Sequence, residues 1–276
     1  MPRPVSPAGH ATRGTTNTNR LRRVDRWIAA QPELRHADSP LVVDLGYGAS
    51  GVTAFELYDR LRRVHPDVEV LGLEIDADRV ARASAQLAQI HAGGTRFPSD
   101  SRVSFARGGF EVPSLRPASV IRAFNVLRQY DEADVAEAWR MMCSRLTPGG
   151  IVVEGTCDEI GRVSSWIDLD NRANPRHLTI SLRLAELERP SIVAERLPKA
   201  LIHHNVPGER VHRLMTDLDT SWDRNVGLGT FGAVQRWLAV VADLRAAGWP
   251  VRTTKTRAKL GELTVAWASV APDLAG

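Results

Sequence analysis

Residues 41–51 read LVVDLGYGASG: five almost wholly apolar residues run straight into a GxGxxG loop, and a helical stripe follows. An apolar run this short reads as a strand buried on both faces. Glycines between such a strand and a helix permit a tight turn and let a ligand approach backbone amides at the helix amino terminus. The rhythm then repeats. Apolar runs at 68–75, 103–106, 119–124 and 151–155 alternate with helical stripes such as Leu57, Tyr58, Leu61 and Val64, or Val135, Ala138, Trp139, Met142 and Leu146. Asp76 is placed to cap the helix carrying Val80, Ala83, Leu87 and Ile90. Strands alternating with helices predict an α/β fold, doubly wound about a mostly parallel sheet. A last helix (Val234, Trp237, Leu238, Val241, Leu244) and two strands joined by a turn near Gly261, the second over 263–270, bring the expected sheet to seven strands.

Four regions follow from this pattern. Residues 1–38 are a basic arm and short helix, and 39–157 a cofactor-binding half. Residues 158–232 are an insertion expected to act as a lid or substrate region. Residues 233–276 are the helix and hairpin that complete the sheet. Of 276 residues, 43% are hydrophobic and 25% charged, which excludes disorder, collagen and coiled coil as whole-chain readings. No apolar run approaches the roughly 18 residues of a membrane span, and the first residues lack an apolar signal core, so the cytoplasm is the expected compartment. Cys143 and Cys157 are the only cysteines and form no CxxC pair, which argues against a disulfide framework, redox chemistry or a metal site.

About twenty residues past Gly51, Glu74 ends the second expected strand, where a carboxylate accepts hydrogen bonds from ribose hydroxyls. A ribose-bearing cofactor follows. Asp44, two residues before the first glycine, separates two classes. It would face a doubly charged pyrophosphate in a dinucleotide, where like charges repel. S-adenosylmethionine instead carries an ammonium and a sulfonium, which an acid attracts.

At VVDLGYGASG the chain resembles the class I S-adenosylmethionine-dependent methyltransferases, whose first motif is an acid followed by GxGxG. GLEID at 72–76 looks like that family's second motif. FNVLRQY at 124–130 resembles the segment after its fourth strand, and LTPGG at 146–150 the turn before its fifth. The resemblance covers about residues 40–157, and more loosely the final helix and strand pair, and implies a Rossmann-like fold with S-adenosylmethionine as cofactor. It implies that Gly46, Gly48 and Gly51, with Tyr47 between them, wrap the methionine part. Asp44 would order the amino group, Glu74 and the adjoining Ile75 would hold the ribose, and Asn125 would line the floor. Many members carry an acid after the third strand that reads the adenine amino group. Here that stretch is Arg107-Gly108-Gly109-Phe110-Glu111, so backbone atoms at Gly109 and Phe110, the Phe110 ring or Glu111 must substitute.

In-line methyl transfer needs alignment more than a covalent intermediate. A base serves only a protonated acceptor, and His203, His204 and Tyr130 are the candidates. The stretch 125–128 (NVLR) lacks the Asn-Pro-Pro-Tyr motif used on amino groups of bases. A small-molecule or lipid acceptor is slightly favoured. RNA is the competing acceptor, because residues 1–26 hold six arginines against Asp25 alone, while the rest of the chain nearly balances 30 basic against 31 acidic residues. The glycine loop taken by itself also accommodates an NAD(P)-dependent oxidoreductase or a non-catalytic nucleotide-binding protein.

Overall fold

The computed structural model describes residues 7–10 and 17–272. Its strands are β1 (Leu41–Leu45), β2 (Glu69–Glu74), β3 (Val103–Arg107), β4 (Ala118–Phe124), β5 (Leu146–Cys157), β6 (Val163–Leu169), β7 (Pro175–Leu182) and β8 (Glu262–Ala266). They form one sheet in the order β3-β2-β1-β4-β5-β6-β7-β8, with parallel pairing of β1 to β2 and β4 and of β2 to β3. The α/β, mostly parallel architecture is as expected. The count is eight strands rather than seven. The chain divides into two compact units, one of residues 1–154, 159–161 and 169–174, the other of the remainder.

In the first unit, α1 (Arg22–Ile28), α2 (Pro32–Arg35), α3 (Val52–Leu61), α4 (Ala77–His91) and α5 (Glu132–Cys143) accompany the strands. β1 and β4 are buried at every position, as runs covered on both faces must be. The Leu57, Tyr58 and Leu61 stripe of α3 is buried, whereas Val64, past the helix end, is 38% exposed. Asp76 caps α4 by accepting from the amides of Asp78 and Arg79.

Arg122 is the one charged residue of the mostly apolar β4, directly opposite Asp44 on β1. It is fully buried. Its Nη2 lies 2.7 Å from Asp44 Oδ2 and its Nε 3.1 Å from Oδ1, and its Nη1 bonds the Asp25 carboxylate of α1. Asp25 also pairs with Arg60, which neighbours Glu56, and Glu56 in turn binds Arg96 at 2.9 Å. Three guanidiniums thus answer three carboxylates, the condition under which charges can leave water at all.

In the second unit, α6 (Lys199–Ile202), α7 (Arg210–Arg224), α8 (Ala233–Ala246) and α9 (Lys255–Ala258) accompany β6 to β8. Trp166, Trp222 and Trp237 are among its fully buried side chains. The α7 stripe Val211, Leu214, Met215 and Leu218 is buried, as its helical spacing predicts. β6 is the strand that hydropathy does not anticipate. Ser164, Ser165 and Asp168 break its apolar pattern, yet all three are buried, and Asp168 is satisfied by Arg176 at 2.8 Å and His177 at 3.1 Å. The expected closing hairpin is reduced. Val251 makes a single bridge to Val265, and β8 stops at Ala266 in a 3-10 turn over Trp267–Ser269, whose Ser269 hydroxyl donates back to the Ala266 carbonyl.

Candidate functional site

The carboxyl ends of β1 and β2 bring the glycine loop and Glu74 together. Leaving β1, the backbone takes positive φ at Gly46 (68°) and Gly48 (86°), angles that favour glycine. The Gly46 amide donates to the Leu73 carbonyl at 2.8 Å, which ties the loop to β2. Glu74, 1% exposed, accepts from the Gly48 amide at 3.1 Å and from the Ile75 amide at 2.9 Å, with Arg79 Nη1 at 3.4 Å. The Gly51 amide donates to Gln86 Oε1 at 2.9 Å. Gly51 itself serves packing: a Cβ there would lie 2.6 Å from Phe105 Cζ and 3.0 Å from the Phe55 ring. The Tyr47 ring stands edge-on to Phe105 at 5.1 Å, and its phenol is pushed up by burial and by the Glu74 charge.

Past β3, Glu111 folds back so that Oε1 accepts from the Gly109 amide at 2.9 Å. Past β4, Asn125 takes a positive φ of 59° and leads into a 3-10 turn over Leu127–Gln129 that ends at Tyr130. The Phe110 and Tyr130 rings meet edge to face at 5.2 Å. Gly46, Glu74, Ile75, Gly109, Phe110 and Tyr130 line one cavity together with Leu45, Gly108 and Val126. Ala8 and His10 of the arm supply the rest of its lining, and what remains open is about 10 Å³, the room of roughly one water molecule.

Several candidates lie elsewhere. The Asp44 carboxylate is held by Arg122 and by the Thr53 hydroxyl at 2.9 Å, so its charge is answered inside the core and does not face the cavity. His203 and His204 belong to the second unit, at the end of α6, with His204 Nδ1 3.6 Å from Glu209. That unit also has a groove of about 880 Å³ lined in part by Leu228, Phe231 and Lys255, which contains no motif residue. Of the arm's arginines, Arg3 and Arg13 lie outside the described residues. Sequence reasoning missed Arg122 and the 7–10 segment. A lone cation in a mostly apolar strand is the available signal for the first; the second has none beyond a glycine between an alanine and a histidine.

Among the described residues no helix is long and apolar enough to cross a membrane. Neither a family model nor a curated protein matches the sequence. Among solved structures, the chain is similar to magnesium protoporphyrin IX methyltransferase from Synechocystis with bound S-adenosylhomocysteine, at 17% identity over 50% of this chain and 54% of that one, with a TM-score of 0.38. It is also similar to mitomycin 7-O-methyltransferase, at 20% identity over 50% of this chain and 36% of that one, TM-score 0.36. A third is an O-methyltransferase family 2 protein from Planctomyces limnophilus in complex with apigenin, at 19% identity over 50% and 39%, TM-score 0.36. The chain thus spans about half or less of the length of each of these methyltransferases.

Proposed function

We propose that this chain is an S-adenosylmethionine-dependent methyltransferase acting on a small-molecule acceptor. The observation that carries the proposal is the Glu74 carboxylate 3.1 Å from the Gly48 amide. In a dinucleotide-binding fold the glycine-loop amides face a pyrophosphate. Here two of them are already taken by side-chain oxygens, one of which is charged. A diphosphate seated on those amides would have to displace both oxygens. A ligand with ribose hydroxyls suits the same carboxylate and needs no phosphate cradle, so the discrimination expected of Asp44 falls to the occupied loop amides.

The cavity residues fit such a ligand. Glu74 offers acceptors for ribose, and the Phe110 amide with the Glu111 carboxylate offers a donor and an acceptor for an adenine edge. When bound, S-adenosylmethionine supplies an activated methyl on its sulfonium. This chain's own part is to hold and orient it with Gly46, Gly48, Glu74, Ile75, Gly109 and Phe110, and to exclude water with the Phe110 and Tyr130 rings.

Calorimetry on the full chain tests this reading. S-adenosylmethionine and S-adenosylhomocysteine are expected to bind saturably, and NADH and NADPH to give no heat; the reverse pattern overturns the proposal. Glu74→Ala is expected to weaken S-adenosylhomocysteine roughly ten- to hundredfold, since hydrogen bonds to a charged acceptor are worth about 1.5–3 kcal/mol. Unchanged affinity in a folded variant removes Glu74 from the site.

A further inference from the structure

The arm residues 7–10 (PAGH) use the cavity's hydrogen-bonding groups as a nucleobase would. The Ala8 carbonyl accepts from the Phe110 amide at 3.0 Å, and the Ala8 amide donates to Glu111 Oε2 at 2.7 Å. The wall therefore offers one N–H donor beside one carboxylate acceptor. An adenine edge presents the complementary pair, a ring-nitrogen acceptor beside an amino donor.

Two glycines make the approach possible. A Cβ on Gly109 would lie 1.9 Å from the Ala8 carbonyl oxygen. A Cβ on Gly9, whose φ is 120°, would lie 2.6 Å from the Tyr130 hydroxyl, 3.2 Å from Ile75 and 3.3 Å from Phe110. His10 then fastens the segment. Its amide donates to the Tyr130 hydroxyl, and its ring stacks on that of Tyr130 with centroids 5.4 Å apart at 23°.

We propose that residues 7–10 are a built-in competitor for the adenine subsite: segment and adenosyl ligand exclude each other, and the cofactor binds only when the arm has left. The proposal rests on the reading that this cavity takes an adenosyl ligand. A lid would close over its ligand and leave the ligand's partners free. Here the donor and the acceptor are consumed and about one water's room remains. Such an equilibrium lowers apparent affinity by the fraction of molecules that are open, so a segment seated in about nine of ten molecules weakens binding about tenfold.

Gly9→Val in the full chain tests this, because it alters no wall of the cavity. The probes are adenosine and S-adenosylhomocysteine, followed by calorimetry, with hydrogen exchange at the Phe110 amide as a ligand-free readout. Both probes are expected to bind about tenfold tighter to the variant, and the Phe110 amide to exchange faster in the unliganded variant than in the wild type. Equal or weaker adenosine binding by a folded variant overturns the proposal, the weaker case identifying the arm as a lid. If adenosine tightens while S-adenosylhomocysteine binds neither form, the competitor stands and the methyl-donor reading falls. If S-adenosylhomocysteine binds both forms equally, the methyl-donor reading stands and the competitor falls. Ala8→Pro, which deletes the N–H that Glu111 accepts, gives the same contrasts should Gly9→Val fail to fold.

Discussion

Replacing Arg122 by methionine is expected to cost the fold about 3–5 kcal/mol, the range found when one partner of a buried ion pair is removed. Methionine fills much of the space but leaves Asp25 and Asp44, both buried, without the cation that joins them. The loss has a pH signature. Burial pushes the Asp25 carboxyl up, and Arg122 is the strongest of the influences that pull it down. Without the guanidinium, that carboxyl rises further. A group whose folded pKa lies above its unfolded one stabilises fully below the unfolded value and loses that contribution as pH rises through the folded value. The deficit should therefore be larger at pH 8 than at pH 5. Urea unfolding of both proteins across that range checks it. A deficit below about 1 kcal/mol would show that the cluster does not hold the first unit together, and one independent of pH that the Arg122 guanidinium does not govern the Asp25 carboxyl.

The Arg122 cluster also marks the boundary of what the sequence discloses. β1 falls on the apolar run that predicts it, because a strand covered on both faces must be apolar and one ending in glycines has a visible stop. β2, β3 and β4 likewise lie within a residue of expectation. Asp44 is legible as an acid before a glycine loop. Its partner is not, since Arg122 lies 78 residues away and only the β1–β4 register sets the two side by side. β6 is illegible for a related reason: its buried polar groups are tolerated because Arg176 and His177 answer Asp168, and pairing does not show in hydropathy. Glu74 is legible by position, whereas its bond to the Gly48 amide requires the loop's actual turn. The Ala8 contacts lie further still from local rules, since they join residues about a hundred positions apart and, on the arm's side, use only backbone atoms that carry no side-chain signal.

Glu154 supplies the second large effect, and its sign is opposite to that of an ordinary ion-paired carboxylate. It is fully buried on β5, and burial pushes its carboxyl up to about 8, against a smaller downward pull from the Trp139 indole N–H. At neutral pH the group is therefore mostly protonated in the folded chain and ionised in the unfolded one. Between those two pKa values the folded state holds the extra proton, so stability falls by up to about 1.4 kcal/mol per pH unit as pH rises. The wild type should accordingly lose about 2–3 kcal/mol from this group between pH 6 and 9. Glu154→Gln keeps the shape and removes the titration. It carries a roughly constant penalty for burying an amide, so its curve should lie below the wild type at pH 6 and close on it or cross above it by pH 9. Denaturant unfolding of the two proteins at half-unit pH intervals measures that gap directly, and parallel curves would mean that Glu154 titrates alike in the folded and unfolded chains.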